Sequence, residues 1–149
     1  MFGLQVRYLS FFFGLIAILS FFNLIYSYYL NLYLNLNTYY FSLFISLGLG
    51  ILFYKINDLE KKKSIFDKIL TVFFGYIFIP LILSIPFYFS IYNLSYLNSL
   101  FESVSGFTST GFSVFDNIKH IDQSIIMWRS TIQWIGGLYF LFSIIYLID

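Results

Sequence analysis

The sequence predicts an all-α integral membrane protein made of an N-terminal two-helix hairpin and one helix–re-entrant loop–helix unit. Of the 149 residues, 60% are hydrophobic and only 10% are charged, whereas a typical soluble domain carries roughly 25% charged residues. The few charges are separated by three long uncharged stretches. A helical pattern too short to cross a bilayer lies ahead of the last stretch. Together these observations exclude a soluble monomer and a disordered chain.

The uncharged stretches give the number of membrane crossings. They cover residues 8–54, 69–101 and 130–148, which are 47, 33 and 19 residues long. A helix needs about 20 apolar residues to cross the hydrocarbon core, so the first stretch has room for two crossings and each of the others for one. The expected spanning helices lie near 5–28, 38–54, 69–92 and 126–148.

The loops give the orientation. Residues 55–68 read KINDLEKKKSIFDK and contain five lysines, which places this loop in the cytoplasm by the positive-inside rule. Both termini are then cytoplasmic, and residues 29–37 and 93–125 are outside. Lys61, Lys62 and Lys63 are candidates for binding anionic lipid headgroups. A nucleic-acid patch is the alternative, but hydrophobic helices on both sides and a net charge of +1 argue against it.

The chain divides into three expected segments: a transmembrane hairpin over 1–54, a basic loop over 55–68, and the helix–loop–helix unit over 69–149. The sequence contains no cysteine and one histidine, so a single chain offers no cysteine-based or histidine-cluster metal site. No arrangement typical of a hydrolase or metalloenzyme occurs. We therefore predict no enzyme activity and no cofactor.

The segment after the third helix has the pattern of a pore loop. Residues 94–107 read LSYLNSLFESVSGF, with Asn93 or Ser95 as a candidate helix cap and an apolar stripe at helical spacing. A helix over 95–106 is about 18 Å long, roughly half of a hydrocarbon core about 30 Å thick. The small polar run 108–111, TSTG, follows it. Non-helical backbone at membrane depth must be buried or line water. A re-entrant pore loop is favoured over the alternative, a soluble outer loop.

Such a loop suits the dehydration of a cation. A potassium ion leaving water needs several oxygens in place of its hydration shell, and backbone carbonyls provide them without a net charge. Gly111 can take a positive φ without a Cβ penalty. The preceding helix ends with its negative dipole end near the loop, which favours a cation there.

Three sequence blocks then carry a resemblance: IPFYFS at 85–90, FESVSGFTSTGFS at 101–113 and MWRSTIQWIGG at 127–137. They resemble the Trk/Ktr/HKT superfamily of cation transporters, specifically the TrkH-type potassium uptake subunits, whose first pore loop reads FES-x-SGFTTTG. The resemblance implies a filter over 108–112 and K⁺ as the transported ion. It also implies that one quarter of the selectivity filter is lined by backbone carbonyls of Thr108, Ser109, Thr110 and Gly111. Ser109 replaces the middle threonine, and Phe112 stands where the family usually has a small residue.

Members of this family have four successive helix–pore-loop–helix units, whereas this chain has one. We expect a truncated or split reading frame rather than four copies that assemble like a simple tetrameric channel. The implied partners are membrane lipid, the remaining pore repeats or further copies, and a cytosolic nucleotide-binding regulatory subunit. The implied location is the bacterial plasma (inner) membrane. The alternative function is a non-conducting multi-pass scaffold or assembly subunit.

Several polar residues have two interpretations. Glu102 and Arg129 fall at membrane depth, where ionisable groups are costly and usually paired. We predict that they pair behind the filter; the alternative is that each reaches water. Asp116 and Asp122 could attract cations to the outer mouth, although ordinary loop solvation is favoured. His120 is expected to be a solvated loop residue.

Glycine and proline residues mark the helices of the unit. Gly136 and Gly137 are expected to allow close helix packing, with a gating hinge as the less favoured alternative. Pro80 and Pro86 are expected to kink the third helix or loosen its hydrogen bonding.

Overall fold

The computed structural model describes residues 6–56, 64–117 and 120–148, and all the regular structure in these ranges is helical. Four helical segments are long and apolar enough to cross a membrane. The predicted all-α architecture with four candidate membrane spans is therefore confirmed. The helices are α1 (Val6–Tyr29), α2 (Leu36–Lys55), α3 (Ile65–Leu83), α4 (Ile85–Tyr88), α5 (Tyr96–Phe107) and α6 (Gln123–Ile148).

The loop between α2 and α3 is described only at its ends. Ser64 caps α3, since its side chain accepts a hydrogen bond from the backbone N–H of Phe66 at 3.3 Å. The expectation that Lys61, Lys62 and Lys63 bind lipid headgroups falls on residues 57–63, which lie outside the described residues.

Small residues allow α1 and α2 to pack closely as a hairpin. A Cβ placed on Gly50 would lie 3.6 Å from the backbone nitrogen of Gly14. Ser10 Oγ donates to the carbonyl oxygen of Gly50 at 2.8 Å, and the hydroxyls of Ser20 and Ser42 are hydrogen-bonded at 3.0 Å. In a bilayer, close backbone approach and interhelical hydrogen bonds are the main sources of helix association. The close backbone approach and the interhelical hydrogen bonds thus hold α1 and α2 together within a bilayer.

Asn35, just before α2, ties the hairpin to the rest of the protein. Its side chain is 1% exposed. Its oxygen accepts from the backbone N–H of Ile91 at 3.0 Å, and its amide donates to Asp122 Oδ2 at 2.8 Å. The other oxygen of Asp122 accepts from the N–H of Ser124 at 2.9 Å, in the first turn of α6. The solvated-loop interpretation of Asp122 is therefore wrong: this half-buried carboxylate caps a helix and joins two segments.

The third spanning segment is broken, whereas the sequence predicted one helix over 69–92. Helix α3 begins at Ile65 and ends at Leu83, and α4 follows Ser84 and ends at Tyr88. Pro86 lies in the first turn of α4, where its missing N–H costs little. The same proline cannot donate within a continuous helix, which explains the break.

Groups from α5 and α6 bind carbonyl oxygens near this break. The indole N–H of Trp128 donates to the carbonyl of Leu83 at 3.1 Å, and Ser103 Oγ donates to the carbonyl of Pro80. In a membrane, polar groups must find partners within the protein. The Pro80 carbonyl also accepts from the backbone N–H of Ser84 at 2.9 Å, so the break does not free it. The two side-chain bonds hold the short helix α5 and the long helix α6 against α3.

Candidate ion-binding site

Helix α5 has the length and the start expected for a half-crossing. It contains 12 residues, and the Ser95 side chain caps it by accepting from the N–H of Asn98 at 3.3 Å. The other candidate cap, Asn93, instead has a φ of 48° in the preceding turn. Twelve helical residues span about 18 Å.

The segment 108–111 folds back onto the end of α5. Its four backbone N–H groups all donate to carbonyl oxygens of residues 104–106, at distances of 2.9 to 3.4 Å. The last carbonyl groups of a helix lack partners within the helix. These bonds therefore provide partners both for the N–H groups of 108–111 and for the last carbonyl groups of α5. The segment is anchored through its N–H groups, and its carbonyl groups remain available.

The backbone of this segment takes a positive φ at alternate residues. Gly111 has a φ of 80°, as predicted, and Ser109 has a φ of 56°. A non-glycine residue in the left-handed region costs roughly 1–2 kcal/mol. Serine was not predicted to adopt this conformation, because no turn residue of the usual kind marks position 109.

The carbonyl oxygens of 108–111 accept no hydrogen bond from any residue that the structure describes. Residues 108–112 are all exposed on the surface of this chain. By contrast, the carbonyl of Phe112 accepts from Ser105 Oγ at 2.7 Å. The Phe112 side chain is 70% exposed, so within this chain it does not pack behind the loop. Four consecutive carbonyl groups are thus left free at an exposed edge.

A buried ion pair lies beside this segment. The Glu102 side chain is 0% exposed, and its Oε2 is 3.2 Å from Arg129 Nη1, which confirms the predicted pair. Glu102 Oε1 accepts from Ser113 Oγ at 2.6 Å and from the N–H of Val114 at 2.5 Å. Arg129 Nη1 also donates to Ser113 Oγ at 2.8 Å. The role of Ser113 in this pair could not be predicted, because a lone hydroxyl two residues after Gly111 gives no signal of its partners.

Helix α6 approaches the end of α5 through a glycine. A Cβ on Gly136 would lie 1.8 Å from the carbonyl oxygen of Phe107, so the close-packing prediction is confirmed for this residue. At Gly137, no heavy atom of another described segment lies within 4 Å of the Cβ position. Here the residue faces a cavity of about 380 Å³ beside the loop. The cavity is lined by Tyr76, Phe107, Thr108, Ser109, Gly136, Gly137 and Phe140.

The other polar residues singled out from the sequence lie apart from this arrangement. Asp116 and His120 are exposed in the loop before α6. Within the described ranges, no group of three or more histidine, cysteine or acidic residues could hold a metal ion. The chemistry that the site offers is therefore that of uncharged backbone oxygens.

Known proteins are similar to this chain over most of its length. Residues 36–148 match the sequence profile of the TrkH family, described as a cation transport protein. An uncharacterized cation transporter of Methanocaldococcus jannaschii is 31% identical over 126 residues, covering 83% of this chain and 26% of the relative. The Trk system potassium uptake protein TrkI of Halomonas elongata is 37% identical over 40% of this chain and 11% of the relative.

A third relative matches a shorter part of the sequence than these two. The Trk system potassium uptake protein TrkG of Escherichia coli is 41% identical over 31% of this chain and 10% of the relative. The chain therefore spans about a quarter or less of the length of these relatives. The profile match covers most of the chain. The chain belongs to the TrkH family of cation transport proteins.

Proposed function

We propose that this chain supplies one quarter of a potassium selectivity filter, in which the carbonyl oxygens of 108–111 bind the ion. The observation that carries the proposal is the free, exposed row of four carbonyl groups at the end of a half-length helix. Carbonyl oxygens replace a hydration shell without a net charge, so the ion also leaves readily. The negative end of the α5 dipole adds a favourable potential for a cation.

The anchoring of the segment supports this role. All four N–H groups point into hydrogen bonds with α5, which fixes the backbone without using a single carbonyl of 108–111. The positive φ values at Ser109 and Gly111 change the direction of the chain at alternate residues. Such alternation is what allows successive carbonyl groups to face a common axis.

The exposure of residues 108–112 supports a shared pore. An ion path lined by one chain would remain open on the other sides, so three more units must surround it. They are supplied by further helix–pore-loop–helix repeats or by further copies of the chain. A cytosolic nucleotide-binding subunit is a proposal that rests on the family resemblance alone.

The proposed topology places both termini and the 55–68 loop in the cytoplasm of a plasma-membrane protein. Residues 95–113 then enter and leave the bilayer on the outer side. The chain has no cysteine, so any labelling comes from a single introduced cysteine and shows on which side of the membrane that residue lies. We expect cysteines at Asn93 and Asp116 to react with an impermeant maleimide added outside intact cells, and one at Lys68 to react only after permeabilisation. Labelling of 93 and 116 from opposite sides would show a full crossing.

The filter assignment is tested by substituting serine for Gly111. The φ of 80° penalises any Cβ there, although the Cβ position faces open space in this chain. A strain of about 1 kcal/mol corresponds to about a fivefold change in an equilibrium. We therefore expect Gly111→Ser to lower the K⁺/Na⁺ preference about fivefold while expression is retained.

The measurement is K⁺ and Na⁺ uptake in potassium-uptake-deficient cells that make the complete four-unit assembly. Gly48→Ser is the matched control, because no heavy atom of another described segment lies within 4 Å of that Cβ position and no positive φ is recorded there. Unchanged uptake and unchanged ion preference in Gly111→Ser would remove the filter assignment. A non-conducting scaffold would then be the better description of the chain.

A further inference from the structure

We infer that Ser113 is a positioning residue: its hydroxyl fastens the end of the filter segment to the buried Glu102–Arg129 pair, and the K⁺ preference depends on that fastening. The inference rests on the proposed function and gives a role to Ser113, the last residue of the 101–113 block, to which the sequence assigned none.

The Ser113 hydroxyl has all its hydrogen-bonding capacity in use. It donates to Glu102 Oε1 at 2.6 Å and accepts from Arg129 Nη1 at 2.8 Å and from the N–H of Phe115 at 3.1 Å. A serine hydroxyl has one donor and two acceptor positions. Two of the three partners are charged, and hydrogen bonds to charged groups are the stronger ones. Alanine at 113 would remove all three contacts.

Ser113 is the second of two anchors around the free carbonyls. On the upstream side, the N–H groups of 108–111 are bound to the carbonyls of 104–106. On the downstream side, Ser113 Oγ and the N–H of Val114 both bind Glu102 Oε1. Gly111 lies between the anchors with open space around its Cβ position. Removing the Ser113 hydroxyl leaves only the Val114 N–H at the downstream anchor, which gives the glycine and its neighbours more freedom to move.

The ion pair and the fastening are separable. Arg129 Nη1 lies 3.2 Å from Glu102 Oε2, close enough for the two charges to attract each other without the serine, although that oxygen accepts no hydrogen bond from the described residues. Ser113→Ala should thus keep both charges of the pair and remove the hydroxyl that links them to the chain segment. A purely structural role would change stability without changing ion preference.

The first readout is local and uses the full 149-residue chain in lipid nanodiscs. A cysteine replaces Val114, which is half-buried, and its rate of reaction with a maleimide is measured. Loss of charge-assisted hydrogen bonds should raise this rate about tenfold in Ser113→Ala. Ser113→Thr keeps a hydroxyl and should stay within about twofold of the parent. Ser130→Ala is the control, because Ser130 is exposed and, among the described residues, its hydroxyl bonds only the carbonyl of Ile126, at 3.1 Å.

The second readout is the K⁺/Na⁺ uptake ratio of the complete assembly. We expect Ser113→Ala to lower it at least about threefold, with Ser113→Thr and Ser130→Ala unchanged. An unchanged labelling rate, or an unchanged ratio in an assembly where Gly111→Ser does lower it, would overturn the inference and leave the filter intact. If Gly111→Ser has no effect on the ratio, the proposed function fails instead. Should threonine fail to rescue, the rate in Ser113→Ala relative to Ser130→Ala still decides whether the hydroxyl holds the segment.

Discussion

Substituting alanine for Gly136 tests how α6 supports the end of α5. The new Cβ would lie 1.8 Å from the carbonyl oxygen of Phe107 and 2.6 Å from its carbonyl carbon. Non-bonded heavy atoms pack at about 3.5 Å, so the Cβ and the carbonyl oxygen must move apart by about 1.7 Å. The atoms that the new Cβ meets belong to the backbone of α5, so no side-chain rotation can relieve the contact. We therefore place the overpacking cost at the upper end of the usual range, about 3 kcal/mol.

Alanine is also a better helix former than glycine by about 1 kcal/mol, which leaves a net loss of about 2 kcal/mol. For a chain of this length, that corresponds to a fall in Tm of about 4–8 °C. The assay is thermal unfolding of the purified chain in detergent. Transport by the complete assembly should fall as well, because Phe107 directly precedes the proposed ion-binding segment 108–111 and moves with it.

Gly137→Ala is the matched control for this prediction. Since no heavy atom from another described segment lies within 4 Å of its Cβ position, only the gain in helix propensity applies, and Tm should stay level or rise. Equal stability of the Gly136→Ala and Gly137→Ala proteins would refute the argument, because it would mean that α5 and α6 do not meet at this distance.

Two further predictions concern buried polar contacts. Arg129→Met leaves the Glu102 carboxylate, which is 0% exposed, without its counter-charge and should cost about 3–5 kcal/mol. Adding Glu102→Gln should recover most of this loss in a detergent unfolding assay, and a double variant no more stable than the single one would show that the pair is not coupled. Asn35→Leu removes the hydrogen bonds to Ile91 and Asp122 and should cost about 2–3 kcal/mol in the same assay. The exposed Asn37 provides the control, and equal loss in Asn37→Leu would contradict the proposed link.

Much of the fold follows from local features of the sequence. Uncharged stretches long enough to cross a bilayer predict the spans. The apolar stripe and the capping serine predict α5. The buried Glu102–Arg129 pair also followed from a general rule, the cost of an unpaired charge at membrane depth. These features depend on spacing along the chain, which a sequence displays directly.

The parts that could not be predicted depend on contacts between distant segments. The uniformly apolar stretch predicts one helix that continues to residue 92. In the structure, Ser84 and Pro86 break this helix, and the indole N–H of Trp128 donates to a carbonyl near the break. Asn35 resembled an ordinary residue of a loop at the membrane interface. Its partners lie 56 and 87 residues further along the chain, where spacing gives no signal.

Ser113 was missed for the same reason. Its position two residues after Gly111 gives no signal of its partners, which lie on α5 and α6. The positive φ of Ser109 was missed because serine does not mark left-handed backbone as glycine does. The conformation is imposed by the hydrogen bonds to the end of α5.

The role that we propose for the carbonyl oxygens of 108–111 is to bind the transported ion. The most direct test is a structure of the complete assembly with thallium(I) in place of K⁺, from which an anomalous difference map locates the ion. We expect a peak within coordination distance of these carbonyl oxygens, and a weaker peak when excess K⁺ competes. Thallium peaks elsewhere in the assembly with none beside 108–111 would contradict it.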